Sequence, residues 1–240
     1  TLARPRGLLG RPSSGVGGGL NSGALTLRPR HDPSAPGAVI VEAPIADDGF
    51  ASAPPSTAAG GGDARRSTRV HVVIDPLLSS RLRPHQIDGV RFLWECVQGL
   101  RGFAGQGAIL ADEMGLGKTL QTITLVWTLL KQSGAGGPAI SKAIIVCPSS
   151  LVGTWKREFK TWLGDERCRV TAVNVQGHEA AAMVTTFMVT SSSVSPVLII
   201  SYEMLRKHVA IITGSANAAQ IGIVVCDEGH RLKSAGGNKT

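Results

Sequence analysis

At 240 residues, with 42% hydrophobic and 18% charged side chains, the chain has room for one domain and a tail, or for two small domains. No apolar run approaches the about 18 residues of a membrane helix, and the four cysteines show no Cys-x-x-Cys spacing, so neither a zinc site nor a disulfide framework is indicated. A net charge of +8 favours a polyanionic partner.

The first 69 residues hold 8 of the 13 prolines and 12 of the 30 glycines, with Phe50 their only aromatic. Such a segment buries too little apolar surface to offset chain entropy, so residues 1–69 are expected to form a disordered, weakly basic tail. Its eight basic residues are all arginine, against five acids. That balance suits a DNA or protein contact, and equally an inert solvated leader. Thr1 is not a natural start and no secretory segment follows, so the true N-terminus is expected to lie upstream.

Folded structure is expected from about Val70. Pro84 suits the first turn of a helix, and Ile87, Val90, Leu93, Trp94 and Val97 then make one apolar stripe. A short strand is predicted at residues 108–110. It leads into Asp112-Glu113-Met114-Gly115-Leu116-Gly117-Lys118-Thr119 and a helix over residues 118–131, with Leu120, Ile123, Trp127 and Leu130 at helical spacing. A strand, a glycine-rich turn and a helix N-terminus form a phosphate cradle. Gly115 and Gly117 admit the phosphates, Lys118 supplies a positive charge, and the Thr119 hydroxyl can ligate Mg²⁺. The general pattern has glycine where Asp112 stands. The plainer alternative is a chance loop capping an ordinary helix.

Residues 134–138 break this helix, and residues 142–147 form an apolar strand ended by Pro148. Trp155, Phe159, Trp162 and Leu163 give an amphipathic helix over residues 151–163, and residues 169–175 alternate like a strand. Residues 179–196 carry no clear periodicity. A strand at 197–201 and a helix at 202–209 precede the run Ile221-Gly222-Ile223-Val224-Val225-Cys226, which has the character of a fully buried parallel strand. Asp227 and Glu228 follow at its C-terminal end, where ligands bind open α/β sheets. There Asp227 can hold Mg²⁺ through water, and Glu228 can orient or deprotonate an attacking water. Taken alone, two acids on an exposed loop would be an equal reading. Cysteines in apolar stretches are expected as core thiols of a reducing compartment. Alternating strands and helices mean a parallel sheet covered on both faces, a RecA-like P-loop NTPase lobe.

Arg83-Pro84-His85-Gln86, the Asp112–Gln121 loop, Cys147-Pro148-Ser149-Ser150-Leu151-Val152 with Trp155, Ile200-Ser201-Tyr202-Glu203 and the Asp227–Lys233 segment occur in one order. Together they resemble the first motor lobe of Swi/Snf-type ATPases of helicase superfamily two, over roughly residues 70–240. That family's loop carries the Asp at position 112. Asp-Glu-Gly-His-Arg-Leu-Lys at 227–233, with Leu82-Arg83-Pro84-His85-Gln86 and Phe92-Leu93-Trp94-Glu95-Cys96, resembles its RAD fifty-four recombination-repair branch. The resemblance implies a nuclear, ATP- and Mg²⁺-dependent double-stranded-DNA translocase acting in homologous recombination and double-strand break repair beside a RecA-like strand-exchange recombinase. A nucleosome-remodelling ATPase, with chromatin as partner, and a non-catalytic DNA- or recombinase-binding truncation are the alternatives.

By the same resemblance Gln86 reads the adenine edge and His230 couples the nucleotide site to DNA. Ser149, Ser150 and the following helix N-terminus are expected to face a DNA backbone without reading sequence. Lys156, Arg157 and Lys160 either join that surface or form a solvated helix face, while Trp155 and Trp162 are expected in the core. The family's second lobe, with its arginine finger, is expected to be absent from these 240 residues. Weak ATP binding and slow hydrolysis are therefore expected of these 240 residues alone.

Overall fold

The computed structural model describes residues 27–44, 69–103, 107–217 and 220–236. In chain order the elements are β1 (Ile40–Glu42), β2 (Val72–Val73), α1 (Pro76–Ser79), α2 (Pro84–Val97), α3 (Lys118–Lys131), β3 (Lys142–Cys147), α4 (Val152–Leu163), β4 (Val170–Ala172), α5 (Gly177–Val189), β5 (Val197–Ser201), α6 (Tyr202–Gly214) and β6 (Ile221–Cys226). Short 3-10 turns at Ser149–Leu151 and Gly229–Gly236 follow β3 and β6.

Strands β4, β5, β3 and β6 lie in that order in one parallel sheet. The period of two along each strand sorts its side chains into two layers. Ala143, Ile145, Cys147, Val197 and Ile199 join the buried cluster that includes residues of α2, α3 and α4. Ile144, Val146, Leu198 and Ile200 pack instead with Ala180, Val184, Phe187 and Met188 of α5 and Met204 and Ile212 of α6. The result is the three-layer α/β lobe anticipated from the alternating elements.

Helix α3 is more deeply enclosed than a one-sided stripe implies: every residue from Leu120 to Leu130 is buried. Two of its buried threonines are satisfied within the helix, Thr124 and Thr128 donating to the carbonyls of Leu120 and Thr124 at 2.8 Å each. The Trp127 indole donates to Asp75 Oδ2 at 3.0 Å, while Asp75 Oδ1 caps α1 by accepting from the Leu77 N–H. Beyond the helix, Gln132 stands in for a strand neighbour. Its amide accepts from the Val73 N–H at 3.2 Å and donates to the Val73 carbonyl at 2.7 Å.

Four expectations are corrected. Residues 108–110 form no strand, because among the described residues nothing pairs with them; Leu110 packs on the core, but Ile109 is 88% exposed. Strand β6 is not fully buried. It lies at the sheet edge, and Gly222, Val224 and Cys226 alternate to the exposed side. Cys226 is consequently the exposed cysteine, whereas Cys96, Cys147 and Cys168 are buried. The stretch 179–196, which carries no clear periodicity, is in its first part helix α5, which runs Gly177–Val189.

The fourth correction concerns the tail. Residues 1–26 and 45–68 lie outside the described residues, but residues 27–44 are ordered against the lobe. Strand β1 pairs antiparallel with β2, Val39 and Val41 enter the main core, and Arg91 Nε donates to the Ile40 carbonyl at 3.1 Å. The buried Glu42 carboxylate accepts from the Trp94 indole at 3.0 Å and pairs with Arg69. A Cβ on Gly134 would collide with both Glu42 and Arg69, so the helix-breaking glycine also makes room for this pair. Glu42→Ala orphans the buried indole N–H and is expected to lower unfolding free energy by about 1–3 kcal/mol. Glu42→Gln keeps an acceptor and should cost less, and urea unfolding of both variants checks the order. No helix among the described residues is long and apolar enough to cross a membrane.

Candidate functional site

The phosphate-type loop is stapled to α2 and α3 by amide side chains. Gly115 and Gly117 have φ of +87° and +79°, in the left-handed region where glycine is favoured. At Gly117, the N-cap of α3, a Cβ would also strike Gln86 Nε2. The buried Gln86 donates to the Leu116 carbonyl at 3.0 Å and accepts from the Arg83 N–H at 2.9 Å, joining the start of α2 to the loop. His85 Nε2 lies 3.5 Å from the same Leu116 carbonyl.

Asp112 is not a misplaced glycine. Its Oδ2 accepts from Gln121 Nε2 at 3.0 Å, fixing the start of the loop to the second turn of α3. Gly89 of α2 lets Gln121 sit there, since a Cβ at 89 would overlap the Gln121 amide. Lys118 Nζ donates to the carbonyls of Asp112 and Glu113 at 2.8 and 2.9 Å, so the ammonium points into the turn it closes. Thr119 is half-buried in the first turn of α3, while Glu113, Met114 and Leu116 are exposed on the loop.

At the far end of β6, Asp227 is held by four hydrogen bonds. Its N–H continues the β3 ladder to the Val146 carbonyl at 2.8 Å, and its carbonyl accepts from the Tyr202 hydroxyl at 2.7 Å. Oδ2 accepts from the Trp155 indole at 2.8 Å, and Oδ1 from the Glu228 N–H at 3.0 Å. Glu228 is the non-glycine residue at positive φ among the described residues, at +53°. Such a backbone costs about 1–2 kcal/mol in an L-residue, and the side chain it carries is exposed. His230 Nδ1 lies 3.3 Å from Glu228 Oε2, and Arg231 reaches Glu203 of α6 at 3.6 Å.

Burial, reinforced by Cys226 and Asp227, pushes the Tyr202 phenol up to about 12, so near neutral pH it remains a donor. Burial and then Asp227 push the Cys147 thiol up to about 12, and burial does the same for Cys168. Burial also raises the Cys226 thiol, opposed by its hydrogen bond with Tyr202.

Ser149 and Ser150 are exposed at the turn before α4, and Lys156, Arg157 and Lys160 lie on that helix's exposed face. Lys160 pairs with Asp165 at 3.0 Å, and Arg157 donates to Thr154 at 3.1 Å. The structure thus gathers Gln86, Asp112, Gly117 and Lys118 into one loop, and Asp227, Glu228 and His230 into another. No hydrogen bond or ion pair joins the two sets among the described residues. Trp155 is buried as expected, yet it also contacts the site, as do Tyr202 and Gln121. The sequence signal for these is faint: the partners lie 72, 25 and 9 residues away.

The parallel sheet, the glycine loop capping α3 and the carboxylates ending β6 together define a RecA-like lobe of the phosphate-loop class. The chain belongs to the SNF2-related domain family, whose domain matches residues 85–239. It is similar to the DNA repair and recombination protein RAD54-like of Drosophila ananassae, 45% identical over 217 residues covering 88% of this chain and 25% of the relative. The Mus musculus protein of that name is 44% identical over 230 residues, covering 91% and 29%. That of Drosophila grimshawi is 50% identical over 169 residues, covering 70% and 21%. The chain therefore spans about a quarter of the length of the curated relatives it matches. Among solved structures, the Sulfolobus solfataricus SWI2/SNF2 ATPase core in complex with dsDNA aligns with 63% of this chain and 27% of that one, at TM-score 0.43 and 23% identity.

Proposed function

We propose that this chain is the ATP-binding lobe of a double-stranded-DNA translocase that works in homologous recombination and double-strand break repair. The observation that carries the reading is the loop itself. A glycine at positive φ caps a long buried helix beside a lysine ammonium held at the turn, in a chain 44% identical to a RAD54-like repair protein. The relatives' names supply the repair context, and the net charge of +8 and the exposed Ser149, Ser150, Lys156 and Arg157 fit sequence-tolerant contact with DNA phosphates. A RecA-like recombinase as partner and a nuclear location belong to the same proposal.

The donor set suits Mg²⁺·ATP. Thr119 and Asp227 offer the hard oxygen ligands that magnesium takes alongside phosphates and water. No cluster of three or more His, Cys, Asp or Glu side chains poised for a metal occurs among the described residues. One hydroxyl, one carboxylate and nucleotide oxygens make no such cluster. When bound, the metal neutralises charge on the transferring phosphate. Lys118 offsets further charge there, and Glu228 orients the attacking water. Gln86, with one amide hydrogen and one lone pair beyond its two bonds, faces the adenine. His230, beside Glu228, relays the state of the DNA surface.

Because the chain spans about a quarter of its relatives, strong turnover is assigned to the whole protein and slow hydrolysis to these 240 residues alone. The test is ATPase of the intact protein with naked duplex DNA and with nucleosomes. Stimulation by naked duplex is the expected result. A requirement for nucleosomes would replace the reading with a remodelling ATPase, and fast DNA-stimulated hydrolysis by the 240 residues alone would contradict the assignment of turnover.

A further inference from the structure

All four indoles of this chain donate to carboxylates, and three of those bonds serve structure. Trp94 bonds Glu42, Trp127 bonds Asp75, and Trp162 bonds Glu158 one turn away on α4. The fourth differs in its partner: Trp155 bonds Asp227, the carboxylate assigned to the metal. Trp155 is 6% exposed and tilted against Phe159, with ring centroids 6.4 Å apart, so packing fixes the indole before any ligand arrives. A buried indole N–H left without an acceptor is costly, and the bond therefore also fixes the carboxylate.

Tyr202 completes the hold from the other side. Its hydroxyl grips the Asp227 main-chain carbonyl at 2.7 Å, while Arg231 and Glu203 tie the following turn to the same helix start. Asp227 Oδ1 is meanwhile occupied by the Glu228 N–H. Each carboxylate oxygen keeps one lone-pair direction open, and their orientation is set by protein groups. The two holders come from the beginnings of α4 and α6. Those beginnings line one groove at the C-terminal ends of β3 and β5, bordered by Ser149, Val152, Asn174, Ser201, Glu203 and Lys207.

We propose that Trp155 and Tyr202 are positioning residues that aim the Asp227 carboxylate for the metal of a bound nucleotide. The inference rests on the nucleotide-site reading above and adds to it the groups that orient the metal-holding residue. Outer-sphere partners of this kind are worth about 10–100-fold in metal affinity.

The test uses the intact protein and a fluorescent N-methylanthraniloyl adenine nucleotide, whose binding is followed as Mg²⁺ is titrated. Trp155 is replaced by benzothienylalanine, which puts sulfur in place of the N–H and keeps the ring's size, so that loss of fold does not confuse the result. The Mg²⁺ midpoint is expected to rise about tenfold, and Tyr202→Phe should raise it by a smaller factor. Binding measured in EDTA should be unchanged. The same replacement at Trp162 deletes an indole–carboxylate bond on the same helix and should leave the midpoint where it was. A midpoint unmoved by both the Trp155 and Tyr202 changes, while Asp227→Asn shifts it, overturns the proposal alone. A midpoint unmoved by Asp227→Asn as well overturns the metal-holding reading together with it.

Discussion

Replacing Lys118 with alanine is expected to slow ATP turnover by the intact protein about 10²–10³-fold, the scale set by removing one preorganised group that stabilises developing charge. Lys118 opens α3 and its Nζ is held over the loop by the carbonyls of Asp112 and Glu113. Two carbonyls alone are poor partners for an ammonium, which leaves its third hydrogen and most of its charge for an anion at the helix N-terminus. The variant also loses the tie between loop and ammonium, but no buried apolar contact goes with it, because the core of α3 begins at Leu120. Nucleotide affinity should therefore fall along with turnover while the unfolding midpoint barely moves. Lys118→Arg should not rescue, since a planar fork cannot reproduce a point charge reached through this narrow turn. Steady-state ATPase and nucleotide binding, measured beside a urea melt, check all three expectations. Unchanged hydrolysis in Lys118→Ala would refute the site.

Where the sequence carried local information, the structure follows it closely. Helix α3 and strands β3, β5 and β6 have the expected bounds, because Gly117, Pro148 and the flanking polar residues punctuate runs whose periodicity is unambiguous. Helix α5 was legible in principle. Ala180, Val184, Phe187 and Met188 repeat at i, i+4, i+7 and i+8, the template that reveals α4, but the surrounding Thr and Ala dilute the stripe. Around β1, a tail-wide excess of Pro and Gly hid the alternating Val39 and Val41 of a strand whose partner lies about thirty residues on.

The strand expected at residues 108–110 fails for a related reason. A strand needs a ladder, and a run of three apolar residues says nothing about whether a neighbour pairs with it. At the candidate site, residue types and spacing named the groups proposed to meet a ligand. They could not name the groups that aim them. Gln121 on Asp112 and Trp155 on Asp227 are tertiary contacts between residues that each have an ordinary reading, one as a helix amide and the other as a core aromatic.

Glu228→Gln is expected to cost the intact protein about 10²–10⁴ in turnover, the range for a positioned acid–base group, with nucleotide binding retained. Among the described residues no hydrogen bond or ion pair joins the exposed Glu228 carboxylate to Lys118 or Thr119, so its loss should leave affinity alone. Glutamine keeps the length but carries no charge and accepts no proton. It also weakens the pairing with His230 at 3.3 Å, so His230→Ala in the Glu228→Gln background should add little.

The backbone offers a control that most sites lack. With φ at +53°, residue 228 is strained by its own Cβ, and glycine relieves that cost while adding a comparable entropy to the unfolded chain. Glu228→Gly should therefore melt within about 1 kcal/mol of the parent while losing turnover as fully as glutamine does. If both variants bind nucleotide normally and neither hydrolyses it, the defect lies in water activation and not in folding. If either retains parental turnover, Glu228 is a turn residue and the base must be sought elsewhere.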